Sequence, residues 1–314
     1  MPGQKPIVVV GSINTDLVAT AKTIPAIGET VIGTDFQVHP GGKGANQAVA
    51  VSRLGYPVRL IGRLGNDSFG ASLRTHLEGM GVDLAGVRTS KGISGVAVIV
   101  VSHQGENSIV VTPGANSEVT PQDLLTNIEI IRGAGIVLAQ LEIPVETVEY
   151  LALLCARESV PFILDPAPAT ALPSGIFKNI DWFTPNQTEA AFYAADPSGR
   201  ADSLTPEQMA QRILSKGSRG VVLKMGADGA YLSSDKGLGE SISTFHVKAI
   251  DTTAAGDAFN GAFATGIMLG KSPQASAQFA SAVAAISVTR AGAQPSMPTM
   301  TEVELFLESH SRKA

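Results

Sequence analysis

Three short polar clusters hold the side chains best suited to chemistry on a small polar ligand. Asn14 and Asp16 follow the apolar run IVVVGS, so an amide and a carboxylate stand two residues apart just beyond a strand exit. In open α/β sheets ligands bind at that rim, and such a pair could chelate sugar hydroxyls. The same Asn-x-Asp also serves in ordinary turns. The second cluster is PGGKGANQAVAVSRLG, residues 40–55, in which Gly41, Gly42 and Gly44 precede a small-residue helix ended by Gly55. It is not the P-loop pattern, which needs Gly-Lys followed by Ser or Thr, nor G-x-G-x-x-G, because position 47 is Gln. One reading is a glycine turn into a closely packed helix. The other gives Lys43 and Asn46 a role as donors beside bare backbone, where a polar ligand can come close.

The third cluster is DTTAAGDAFNGAFATGIMLG, residues 251–270. Ala254, Ala255 and Gly256 would present backbone N–H groups at the start of an apolar helix, an anion site, and Asp257 would bring a carboxylate to the same spot. Transfer of a phosphoryl group to an alcohol requires such a set: a base for the hydroxyl and donors for the charge on the moving group. The alternative is an aspartate that merely caps its helix.

These clusters need elements to hold them. Apolar, mostly β-branched runs at residues 7–10, 58–61, 136–139, 161–164, 182–184 and 221–224 alternate with helical patterns, which predicts a mostly parallel sheet with helices on both faces. Thr120-Pro121 and Thr205-Pro206, the latter with Gln208, mark helix starts, and these helices should form solvent-facing layers. Ala275, Phe279, Ala282, Val283 and Ile286 make one apolar stripe, read as core. The alternation breaks at about 13–39 and about 93–112. In the second stretch SGVAVIVVS and NSIVVTP flank the turn-rich HQGE and predict a β-hairpin. Both faces of residues 96–101 are apolar, so this strand should be covered on both sides. No tandem repeat or linker divides the chain, which reads as one domain over 1–314 with a small inserted β lid.

Composition narrows the partner class. With 314 residues, 44% of them apolar, the chain can bury a large core. A net charge of -5 leaves no electrostatic footprint for nucleic acid or anionic membrane, and no apolar stretch approaches a membrane span. A small molecule is the expected partner. The single cysteine, Cys155, is expected to be a packing thiol in a reducing, cytoplasmic setting, and the five scattered histidines show no metal-ligand spacing.

GGKGANQA and DTTAAGDAFNGAF resemble the two signatures of the ribokinase family, also called PfkB carbohydrate kinases. The likeness extends through VVGSINTDL, GRLGNDSFG, AQLEIP, TPNQTEA and VTRAGAQPS, over nearly the whole chain. The resemblance implies a three-layer α/β sandwich with a β lid, and ATP-dependent phosphorylation of D-ribose at the 5-hydroxyl. It implies Asp257 as general base, with Ala255, Gly256 and the Asp257 amide as anion hole. Asn14, Asp16, Lys43, Asn46 and Glu142 would hold the sugar, with the Gly42 backbone close against it. Read by itself, Glu142 in LEIPVET could instead cap the helix that follows. On the nucleotide side it implies Asn186, Lys224, Gly226, Ala227, Asp228, Gly229 and Ser281, although the family often carries Thr or Ser at the position of Lys224 and Asn or His at that of Ser281. A monovalent-cation site is implied at Asp251, Thr253, Ser287, Arg290, Gly292 and Ser296; oxygen-only ligation suits potassium, with magnesium arriving on ATP. The family also implies a homodimer through the lid. Three rivals are a kinase for 2-deoxyribose, fructose or another acceptor, a sugar sensor without catalysis, and a scaffold using only the lid.

Overall fold

The run IVVV becomes β1 (Ile7–Val10), every residue of which is fully buried, as a central strand covered on both faces must be. The computed structural model describes residues 4–195, 204–237 and 239–311. The chain leaves the central layer at once for β2 (Asn14–Ala21) and β3 (Gly33–Gly41), then returns in β4 (Val58–Gly65) and β5 (Asp83–Ser90). A second excursion forms β6 (Gly95–Ser102) and β7 (Asn107–Thr112). The rest of the central sheet is β8 (Ile136–Ala139), β9 (Phe162–Leu164), β10 (Trp182–Phe183), β11 (Gly220–Lys224), β12 (Ala230–Ser234) and β13 (Gly239–Ile242).

Nine strands align in the order β13-β12-β11-β10-β9-β8-β1-β4-β5. All neighbouring pairs are parallel except β11-β12 and β12-β13. Alternation along β1 sends Ile7 and Val9 into one core and Val8 and Val10 into the other. The first core receives helices Lys43–Arg53, Ala255–Met268 and Pro273–Ser287; the second receives Val145–Arg157 and Pro206–Leu214. This is the expected three-layer sandwich. The two edge strands, β5 and β13, were not legible, because DLAGVRTS and GESI are too polar to stand out as strands, and neither was β12 beside β13.

Thr120 and Thr205 both form capping boxes, the first with Asp123 and the second with Gln208. In the helix Pro273–Ser287, Phe279, Ala282, Val283 and Ile286 are buried as the stripe predicts, but Ala275 is exposed. It lies in the first turn, where its N–H is taken by the Ser272 cap at 3.2 Å and the helix has not yet reached the core. Cys155 is fully buried, and burial pushes its thiol well above the ordinary range. Among the described residues no helix is long and apolar enough to cross a membrane.

The two excursions pair into one four-stranded sheet, β3-β2-β6-β7, with β2 and β6 parallel and the outer pairs antiparallel. The lid therefore exists, and its hairpin closes at 103–106, where Ser102 N–H donates to Glu106 O. Asn14 and Asp16 are not turn residues. They open β2, two apart and so on one face of it. The expected two-sided cover is not supplied within one chain: Val98 remains 46% exposed and Val110 64%, beside exposed Phe36, Val38 and Ile109.

Candidate functional site

Strand order reverses between β1 and β8, and the crevice beyond the carboxyl ends of such strands is the natural ligand site of an open α/β sheet. Ser12, after β1, donates from Oγ to Glu142 Oε2 at 2.6 Å across that switch point. The same oxygen accepts the Lys43 N–H at 3.1 Å. Glu142 thus does act at a helix N-terminus, but at that of helix Lys43–Arg53 rather than of the helix following it, which has no side-chain cap.

The glycines of GGKG bring this helix against the strand exit. Gly42 is its N-cap at φ 88°, a left-handed value that disfavours any side chain, and a Cβ there would lie 2.7 Å from the Asn14 nitrogen. A Cβ on Gly44 would lie 2.6–2.7 Å from the backbone of Gly11 and Ser12. The tight approach at these glycines is of chain to chain. Lys43 and Asn46 are delivered to the mouth of the crevice. Asn14 is buried, its side-chain oxygen accepting from Asn116 Nδ2 at 2.6 Å, while the Asn116 carboxamide also holds the Ile13 backbone.

Asp257 is the third residue of helix Ala255–Met268, whose N-cap Ala254 sits in the left-handed region at φ 57° with no side-chain cap. The Asp257 oxygens are engaged elsewhere. Oδ2 accepts from Asn46 Nδ2 at 3.0 Å and Oδ1 from Gln47 Nε2 at 3.1 Å, which rules out the simple cap. Burial pushes its carboxyl up, the Lys43 ammonium pulls it down and Asp165 pushes it up again, to about 6. Asp16 is likewise pushed up to about 6, by burial and then by the charges of Glu142 and Asp257. Burial works against the Lys43 charge, but Asp257, Asp165, Glu142 and Glu189 outweigh it and hold the ammonium above its usual range. Asp16, Glu142, Asp165, Glu189 and Asp257 thus crowd with the Lys43 amine into a desolvated crevice, where a base poised near neutrality can work.

Beside Asp257 opens a cavity of about 530 Å³. Lys43, Asn186, Lys224, Gly226, Ala227, Gly229, Ala255, Gly256, Asp257 and Ser281 all line it. Asp228 is exposed and does not, because the turn Gly226–Asp228 carries it outward. Ala255 is already committed, donating its N–H to Thr252 O at 3.2 Å. The anion donors expected at this helix start reduce to the amides of Gly256 and Asp257, which have no acceptor within the helix. Asn186 doubles as N-cap of helix Gln187–Ala194 through a capping box with Glu189.

Near the helix start, Asp251 Oδ1 accepts from the Thr253 N–H at 2.9 Å and hydroxyl at 2.6 Å, and Oδ2 accepts from the Gly292 N–H at 2.8 Å. Burial raises its carboxyl, but these donors win and hold it below the ordinary range. The segments 251–253 and 290–292 are thereby joined. The Ser287 carbonyl accepts the Arg290 N–H at 3.1 Å, and the buried Ser296 hydroxyl donates to Ala293 O at 2.7 Å.

Sequence reasoning missed the buried polar links behind these residues. Gln47 Nε2 donates to both Asp257 and Asp165, its Oε1 accepts from Gln140 Nε2 at 2.6 Å, and Gln294 donates to Asn46 Oδ1 at 3.0 Å. Asp165 follows β9 in ILDP, so the strand-exit argument applied to Asp16 was the signal that could have found it.

The description of pfkB family carbohydrate kinases matches residues 4–300. The ribokinase of Bacillus subtilis is 40% identical over 303 residues, covering 96% of this chain and 99% of that protein. Ribokinase from Thermotoga maritima has a similar solved structure, with a TM-score of 0.89 at 40% identity, covering 96% of this chain and 99% of that one. Arabidopsis thaliana ribokinase complexed with ribose and ATP gives 0.87 at 35% identity, covering 97% and 99%. With the match spanning sheet, lid and both glycine-rich helix starts, the chain belongs to the pfkB family of carbohydrate kinases.

Proposed function

We propose that this protein phosphorylates the 5-hydroxyl of D-ribose with ATP, giving ribose 5-phosphate and ADP. The observation that carries the reading is Asp257, buried at a helix start, held by Asn46 and Gln47, and shared between the polar crevice and the cavity. Its near-neutral carboxyl takes the hydroxyl proton as the sugar oxygen bonds to the γ-phosphorus and ADP leaves with the bridging oxygen. The Gly256 and Asp257 amides offset the charge on the transferring group. Asn14, Asp16, Lys43, Asn46 and Glu142 fix the sugar, and Asn186, Lys224, Gly226, Ala227, Gly229 and Ser281 flank the nucleotide. The resemblance of this chain to ribokinases over nearly its whole length supports ribose as acceptor and ATP as donor.

The test is sugar-dependent ADP release across ribose, 2-deoxyribose and fructose. Ribose should give the highest kcat/KM. Preference for another sugar would reassign the acceptor, and ADP release that no sugar stimulates would leave the sensor or scaffold readings standing. Magnesium enters with the nucleotide phosphates, and a reducing, cytoplasmic setting suits the lone buried Cys155.

Asp251 with the carbonyls of Thr253, Ser287, Arg290 and Gly292 and the Ser296 hydroxyl would hold potassium, an oxygen-only set suited to a large, weakly charged ion. The fit is supported by Asp251, which is kept ionised where it ties the two segments together. Such an ion supplies positive charge next to the anion-hole loop. Turnover should therefore be higher in potassium than in choline, and equal rates after desalting would remove the site.

The exposed apolar face of the lid is proposed to pack on a second copy. Sedimentation at micromolar concentration should show a dimer, and Val98→Glu should dissociate it by setting an unpaired charge in the contact. A monomeric parent protein would refute this.

A further inference from the structure

Lys224 closes β11 with its side chain only 12% exposed, and its Nζ donates to Asp165 Oδ1 at 3.0 Å. A Cβ built on Gly256 would lie 3.5 Å from that nitrogen, so the ammonium stands against the first turn of helix Ala255–Met268. That is an adverse place for a cation. The helix N-terminus carries positive partial charge, and its first amides look for anions. Two like-signed groups set side by side in a desolvated pocket call for an anion to satisfy both, and Asp165 reaches only one of them.

We propose that Lys224 is a catalytic cation of the phosphoryl-transfer step, contacting the transferring group beside the Gly256 and Asp257 amides, with Asp165 holding it in place. This rests on the kinase reading above. Asp165 is in turn a positioning residue. Its Oδ2 accepts from Gln47 Nε2 at 2.9 Å, and the same amide nitrogen donates to Asp257 Oδ1 at 3.1 Å. Since Gln47 Oε1 is taken by Gln140, the carboxamide cannot flip without losing all of these bonds. One side chain thus sets the spacing between the base and the partner of the cation.

In the step itself the sugar O–H proton passes to Asp257 and the oxygen forms its bond to the γ-phosphorus. The bond from that phosphorus to the bridging oxygen breaks, and its electron pair departs with ADP. Lys224 makes and breaks no covalent bond; it offsets charge on the phosphoryl oxygens, as an oxyanion donor does.

Lys224→Met should lower kcat by roughly 10²–10³-fold, the range for loss of one such donor, with little change in the KM for ribose. Because the single variant strands Asp165 without its partner, the charge-balanced double variant Asp165→Asn with Lys224→Met is measured beside it. Asn keeps an oxygen for Gln47, and the double variant should melt close to the parent and show the same loss. Lys224→Arg, which keeps the charge, should recover part of it. A stable double variant with kcat near that of the parent would overturn the proposal. Calorimetry separates this from failure of the kinase reading. The β,γ-imido analogue of ATP should bind Lys224→Met more weakly than the parent while AMP binds both alike, whatever the sugar. Equal affinity for the imido analogue would also overturn it.

Discussion

Asp257→Asn lowers kcat by roughly 10²–10⁴-fold, the usual worth of a general base, while ATP still binds and the protein stays folded. Asn keeps the size of the side chain and an oxygen for one of its two amide partners, Asn46 and Gln47, and removes only the proton acceptor. The stability sign follows from the raised carboxyl. A group whose pKa stands at about 6 in the folded state, above its ordinary 3.8, favours folding while protonated, and that contribution is lost as pH rises through 6. At neutral pH the buried charge is therefore a burden that Asn relieves, although Lys43 loses a partner. The melting temperature should stay near that of the parent. For the parent, kcat/KM should climb as pH passes through about 6 and then level off, since only the ionised carboxylate accepts the proton. Near-normal kcat in a folded Asp257→Asn would strike the residue from the mechanism.

Gly44→Ala should be severely damaging for a single added methyl. By helix propensity alone the change would stabilise by up to about 1 kcal/mol. Here the added carbon would fall 2.6–2.7 Å from three backbone atoms of Gly11 and Ser12, none of which can rotate away. Overpacking of that kind costs about 1–3 kcal/mol or more, so the melting temperature should fall by roughly 3–10 °C. Catalysis should suffer further, because the helix that moves carries Lys43, Asn46 and Gln47. A displacement of about 1 Å can cost on the order of 100-fold in rate. Calorimetric melting and ribose-dependent kcat/KM measure the two effects. Unchanged values for both would mean that the strand exit has slack.

What the chain discloses in advance depends on how local the cause is. β1 and β8 are set by continuous buried runs, and the starts at Thr120 and Thr205 by caps within four residues, so their signals lie in the immediate sequence. Asn14, Lys43, Asn46 and Asp257 were also accessible, because polar residues beside glycines at element ends are conspicuous. For Asn14 and Asp16 the turn reading stayed open, since the next strand starts too soon after β1 for a turn signal to be distinguished from a lid strand. Gln47 and Gln294 were missed for a different reason. Their partners lie 118, 210 and 248 residues away, and no periodicity reports a hydrogen bond of that span.

The continuity of lid and helix has a mechanical consequence. β3 ends at Gly41 and the helix begins at Lys43, so Gly42 alone joins them, wedged against residues 12–14. Asn116 clamps the neighbouring root of β2 from the other side. The lid is thus a cantilever built into the wall, without a free hinge at its base. In such a beam deflection adds up toward the tip, so any movement would be largest at the distal turns near 26–29 and 103–106 and smallest at Asn14 and Asp16, at the fixed end. Stiffening the tips would then limit the reach of the sheet without altering the positions of Asn14 and Asp16 at its root.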